Sequence, residues 1–244
     1  MTRTMLNALL LVCGLTFMLG DAQAAEPHIP LYHASYSASR NDLRVGTAAF
    51  SLTRNQDGSY TYQSVTRPSG LAALFFSDVI TESSQFGISN GKPQPLLYNY
   101  RHSGNDHDKP ERIRFDWTKH TAASGTDKQC KTLPIHSGIY DRALAQLAIS
   151  LDLAAGKLAD TYQVLDHGRI IDYRMQHGSD TKLETPDGTY QVIEVARKDP
   201  KKNRTTTFWL APKLDYLPVQ IQQTEPGKAT ITLTLTEIKF DVAK

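Results

Sequence analysis

After residue 30 the dominant regularity of the chain is an alternation of apolar and polar side chains with a period of two. Successive residues of an extended strand point to opposite faces, so this alternation specifies sheets with one buried and one solvated face. Within Glu111 to Trp117, residues Ile113, Phe115 and Trp117 share a side and Arg112, Arg114 and Asp116 share the other. Within Thr230 to Ile238, residues Ile231, Leu233 and Leu235 oppose four threonines. Leu96-Tyr98-Tyr100, Ala48-Phe50-Leu52 and Ile171-Tyr173-Met175 repeat the pattern.

Between these runs stand Asp57-Gly58, Asn90-Gly91, Ser124-Gly125, His167-Gly168, Asp187-Gly188 and Pro226-Gly227, pairs able to supply the positive φ of tight hairpins. The neighbours they join are therefore antiparallel, and no βαβ alternation calls for a parallel sheet. One segment departs from this rhythm. From Ile139 to Ala155, Tyr140, Leu144, Leu147 and Leu151 recur at helical spacing, with Ser137 placed to cap the start and Gly156 to close the end. The expected fold is mainly β: a large curved antiparallel sheet, a half-barrel or open barrel, with one amphipathic helix at about 139–155 packed on its apolar face.

The first residues follow another logic. Arg3 precedes the apolar run Ala8 to Leu19, and Ala22-Gln23-Ala24 is a small-x-small motif, so residues 1–24 read as a cleavable signal peptide too short to span a bilayer. Residues 25–244 then form a single domain with no further transmembrane segment, and the expected location is the periplasm. Removing residues 1–24 leaves 220 residues and Cys130 as the sole cysteine, with no intramolecular disulfide partner. Formal net charge is +2, and such balance gives no long-range field for collecting nucleic acid.

Signals for chemistry are sparse. The stretch His102 to Asp108 gathers two imidazoles and two carboxylates but reads as a hairpin tip, so no metal site is expected there. Cys130 and His136 lack any local cysteine-protease signature, no other catalytic motif is present, and no cofactor is implied. Arg197, Lys198, Lys201, Lys202 and Arg204 concentrate positive charge around Asp199-Pro200, as a solvated tip or as a contact for an anionic surface such as lipid headgroups. The run Gly70 to Phe76 is apolar without alternation, which fits either core or the mouth of an apolar cavity.

The stretch Thr206 to Ile221, TTFWLAPKLDYLPVQI, resembles a bacterial periplasmic family known as domain of unknown function 3108. Pro95 to Tyr100, the Phe115-Asp116-Trp117 strand end and the helix follow in the order of that family, which carries no activity to transfer. A weaker likeness links Phe208 to Ile238 with the closing strands of periplasmic lipoprotein carriers, curved sheets with helices in an apolar concavity. Taken with the pattern, this implies an exported, non-catalytic protein that binds or carries a lipid or acyl chain in the envelope. The candidate liners are Leu71, Leu74, Phe75, Phe76, Leu144, Leu147 and Trp209. An envelope scaffold holding a protein partner is the alternative, and an enzyme acting on cell wall or carbohydrate is the third reading.

Overall fold

The computed structural model describes residues 28–75, 77–104, 110–126, 129–199 and 203–241. The expected signal peptide, Phe76, Lys201, Lys202 and residues 105–108 of the His102 to Asp108 loop lie outside this set.

Eight strands run first: β1 (Tyr32–Arg40), β2 (Leu43–Arg54), β3 (Tyr60–Pro68), β4 (Val79–Ser89), β5 (Lys92–Ser103), β6 (Glu111–Asp116), β7 (Thr121–Gly125) and β8 (Cys130–Pro134). A short 3₁₀ helix, Gly70–Leu74, interrupts the passage from β3 to β4. After β9 (Ile139–Tyr140) and helix α1 (Arg142–Ala154) come β10 (Thr161–Asp166), β11 (Arg169–Thr185), β12 (Gly188–Asp199), β13 (Arg204–Ala211), β14 (Leu217–Thr224) and β15 (Ile231–Phe240).

All fifteen form one sheet in the order β8 back to β1, then β15 back to β9. The first and last strands thus pair at its centre, Ala38 opposite Leu233, and each arm is a meander of hairpins up to β10, which α1 joins to β9. The two edges are β8 and β9, consecutive in sequence, and the sheet is not closed by a ladder between them. Apart from the parallel pair β9 and β10, all pairing is antiparallel, as the hairpin signals require. Asn90-Gly91 (φ 53 and 72) and His167-Gly168 (φ 47 and 66) have both central residues left-handed. Asn41-Asp42 adopts the same conformation without glycine and turns β1 into β2. Ser124-Gly125 instead ends β7, and the turn follows it.

Helix α1 is shorter than its periodicity predicts. Ile139 and Tyr140 are spent on the parallel pairing with β10, and the cap is Asp141 rather than Ser137, its carboxylate accepting from the Leu144 N–H at 2.8 Å. The helix lies in the concavity of the sheet against β3, β4, β5 and β10, where Leu144 and Leu147 join Leu52, Phe86, Tyr98, Ile113 and Leu235 in one buried core. Leu96, expected to share a face with Tyr98, sits at a register shift between β4 and β5 and is exposed.

Candidate functional site: a cavity at one end of the open barrel

The cross-strand register stacks inward-facing side chains into rings. One ring runs Val195, Phe208, Ile221, Leu233, Ala38, Gly46 and Pro68 through β12, β13, β14, β15, β1, β2 and β3. Two residues nearer the strand ends a second ring runs Arg197, Thr206, Gln223, Ile231 and Arg40. The first is apolar and the second largely polar. Between them and the opposite wall of Thr66, Asp78 and Ile80 lies a cavity of about 570 Å³, to which α1 contributes Gln146. That volume falls within the usual range for small-molecule sites.

Two polar groups that line the cavity have donors to spare, Arg197 on β12 and Gln146 on α1. Arg197 gives Nη2 to Thr206 Oγ1 at 3.1 Å and stacks on Tyr173, its guanidinium carbon 4.3 Å from the ring centroid. Among the described residues no carboxylate oxygen lies within 4.0 Å of it, although burial depresses its pKa and disfavours the lone charge. Arginine keeps its proton nonetheless, so the cation persists. Gln146 Nε2 is buried and has no hydrogen-bond partner among the described residues. An acceptor carrying negative charge would satisfy both groups.

Beside the cavity, a buried polar cluster ties α1 to the sheet. Arg142 Nε lies 3.1 Å from Glu82 Oε1 and its Nη1 3.4 Å from Asp166, while its guanidinium carbon sits 4.6 Å from the Tyr100 ring centroid. Tyr98 donates to Glu82 at 2.6 Å. Burial together with the Glu82 charge holds the Tyr98 phenol far above its usual value. Burial alone would lower Arg142, but Glu82, Tyr98 and Asp166 hold it well above its ordinary value. Asp141, fully buried, accepts from Ser84 Oγ at 2.6 Å, and burial pushes its carboxyl up to about 7 against the lowering effect of its hydrogen bonds.

Side chains close the seam that the ladder leaves open. Glu111 on β6 accepts from the His167 N–H at 2.8 Å, Ser124 on β7 from the Gly168 N–H at 2.9 Å, and Lys131 on β8 donates to the Gly168 carbonyl at 3.2 Å. Glu111, Asp166 and His167 also bring ligand atoms within 4.8 Å of one another, the grouping among the described residues with donors for a divalent cation. His167 Nδ1 lies 3.0 Å from Glu111 Oε2 and Arg142 Nη1 3.4 Å from Asp166 Oδ1, so each carboxylate already has a nitrogen beside it, although neither of these oxygens gains a hydrogen bond among the described residues. The arrangement acts as a latch between the two arms.

The sequence-predicted liners are dispersed. Leu71, Leu74 and Phe75 stand exposed beside the mouth of the cavity, and Leu144 and Leu147 are buried in the core. Trp209 alternates with Phe208 and so lies on the opposite face of β13. Of the basic tip, Arg197 turns inward to the cavity, Lys198 is exposed, and Arg204 pairs with Glu225 at 3.4 Å. Cys130 is exposed on β8, and His136 turns to the Ser137 carbonyl at 3.0 Å. His102 Nε2 lies 3.0 Å from Asp78 at the cavity wall. Sequence reasoning missed Phe50, Phe208, Ile221, Gln146 and the inward role of Arg197. The alternation Val195, Arg197 carried the last of these, since it places the arginine on the buried face.

Fold and cavity define an open-barrel β protein with helix α1 lying inside the curve of the sheet. The chain belongs to the family described as Protein of unknown function (DUF3108), whose sequence model matches residues 32–236. A β-barrel-like protein of domain of unknown function DUF1849 from Brucella abortus superposes with a TM-score of 0.55 at 14% identity, covering 88% of this chain and all of that one. A protein from Parabacteroides distasonis, provisionally described as a lipoprotein, aligns at a TM-score of 0.37 and 8% identity over 88% of this chain and 97% of its own. No curated protein matches the sequence. Among the described residues no helix is long and apolar enough to cross a membrane.

Proposed function

We infer that the chain is an exported envelope protein that binds an anionic amphiphile, without catalysing a reaction on it. The acyl chain occupies the ring of Phe208, Ile221, Leu233 and Ala38, and a carboxylate or phosphate head meets Arg197 and Gln146. The observation that carries this reading is the Arg197 guanidinium, without a carboxylate partner among the described residues, set in the wall of a cavity that is otherwise mostly apolar. Each methylene transferred from water to that wall contributes about 0.8 kcal/mol, which makes chain length a determinant of affinity. Residues 1–24 supply the route to the periplasm.

The test is native mass spectrometry with lipid extraction on chain purified from the periplasmic fraction without detergent. A lipid or fatty acid at defined stoichiometry is expected, and the extract distinguishes a phosphate head from a carboxylate. Protein that is uniformly empty, and that leaves a fluorescent fatty acid unbound, overturns the reading. One observation favours a second reading, a partner-holding scaffold. Strand β8 is a short, mostly exposed edge able to accept a strand from another chain.

A further inference from the structure

Seven large apolar side chains stand exposed among the described residues, and they fall into two groups. Leu96, Ile170 and Phe240 are 36–40% exposed, whereas Leu43, Leu71, Leu74 and Phe75 are 73–79% exposed. The second group gathers in one place. Leu43 opens β2 directly after the Asn41-Asp42 turn, and the Ser69 N–H donates to the Val45 carbonyl at 3.2 Å, which lays the 3₁₀ helix alongside the start of that strand. None of the five residues of the 3₁₀ helix is buried.

Strand direction fixes where this patch lies relative to the cavity. Consecutive strands alternate in direction, so the β1–β2, β3–β4, β12–β13 and β14–β15 connections all leave the sheet at the same end. The Asn41 N–H donates to the Thr230 carbonyl at 2.9 Å, joining two of these connections directly. Arg40, Val45, Arg67 and Pro68 at this end also line the cavity, so the apolar patch borders its mouth. The exposed charges around it are mainly basic, with Asp42 the acidic neighbour of Leu43. Arg40, Arg44 and Arg67 are exposed around the patch, and exposed Lys198 lies on the β12–β13 hairpin at the same end.

Water-exposed leucine and phenylalanine side chains next to arginines form the pattern of a surface that enters the headgroup region of a bilayer, with apolar tips in the acyl boundary and cations at the phosphates. We propose that this end of the barrel docks on an anionic lipid bilayer, Leu71, Leu74 and Phe75 entering the membrane and Arg40, Arg44 and Arg67 meeting the headgroups. The mouth of the cavity then opens onto the lipid surface. Docking stands on exposure and charge at the rim, and only its purpose rests on the proposed amphiphile binding.

Vesicle flotation of the exported chain tests this. Wild type is expected to float with vesicles of phosphatidylcholine mixed with phosphatidylglycerol, and weakly with phosphatidylcholine alone. The Leu71→Ser/Leu74→Ser/Phe75→Ser variant, altered only at exposed positions and checked for an unchanged melting transition, should lose binding by about tenfold or more. Arg40→Gln/Arg44→Gln should lose about fivefold for each cation removed, on the anionic vesicles alone. An Ala38→Leu variant, which fills the cavity, should float like wild type, so failure of docking and failure of ligand binding are read separately. Wild type that floats with neither vesicle, or rim variants that float as wild type does, overturns the proposal. Capture of a protein instead of lipid does the same.

Discussion

The Arg197 guanidinium carbon lies 4.3 Å from the centroid of the Tyr173 ring, and that contact replaces the carboxylate that an inward arginine ordinarily requires. The ring face attracts the cation and leaves most of its N–H groups for something else. Arg197→Leu should therefore retain the fold while weakening an anionic amphiphile by roughly 10- to 100-fold, the usual worth of a hydrogen bond to charge. A matched fatty alcohol should bind wild type and variant alike. Titration of both ligands by fluorescence displacement checks this, and equal loss for acid and alcohol would place the head elsewhere.

The cavity itself is addressed by Ala38, buried on β1 between Leu233 and Gly46. Ala38→Leu pushes apolar volume into the space enclosed by Phe208 and Ile221. Co-purifying lipid should disappear while the thermal midpoint holds or rises, because filling a void restores dispersion contacts. Unchanged lipid content in this variant would mean that the ligand lies outside the ring.

How much of this was legible in the sequence differs between strand and site. The inward faces of β2, β6 and β15 could be read directly from Ala48-Phe50-Leu52, Ile113-Phe115 and Ile231-Leu233-Leu235. The ring joining Phe208, Ile221, Leu233 and Ala38 could not, because it depends on register, which shifts between Trp209 and Leu210 and between Ser35 and Tyr36. Trp209 is among the expected liners, yet its alternation with Phe208 puts it on the other face. Arg142 looked like any helix residue, since Glu82 and Asp166 reach it only through the curve of the sheet.

Arg142 is expected to be the most costly side chain to remove. It is the close cationic partner of both Glu82 and Asp166, the latter with only 7% of its side chain exposed. Arg142→Met leaves two carboxylates without their counter-charge, at a cost of about 3–5 kcal/mol in urea unfolding. Adding Glu82→Gln should return part of that loss, a coupling that a double-mutant cycle measures directly. Purely additive losses would show that the pair contributes packing alone.

Asp141 gives the stability a pH dependence opposite to that of a paired carboxylate. Burial raises its carboxyl from 3.8 to about 7, so between those values the folded chain holds a proton that the unfolded chain has released. With more protons bound in the native state, stability falls as pH rises. The contribution is fully present below about pH 4, is lost progressively up to about pH 7, and amounts to as much as about 4 kcal/mol. Asp141→Asn keeps an oxygen for the Leu144 N–H and removes the titration, and asparagine caps helices as well as aspartate does. The variant should match wild type at pH 4, exceed it by about 2–4 kcal/mol at pH 8, and flatten the slope between. Urea midpoints across that range provide the check, and a parallel slope in both proteins would place the titrating group elsewhere.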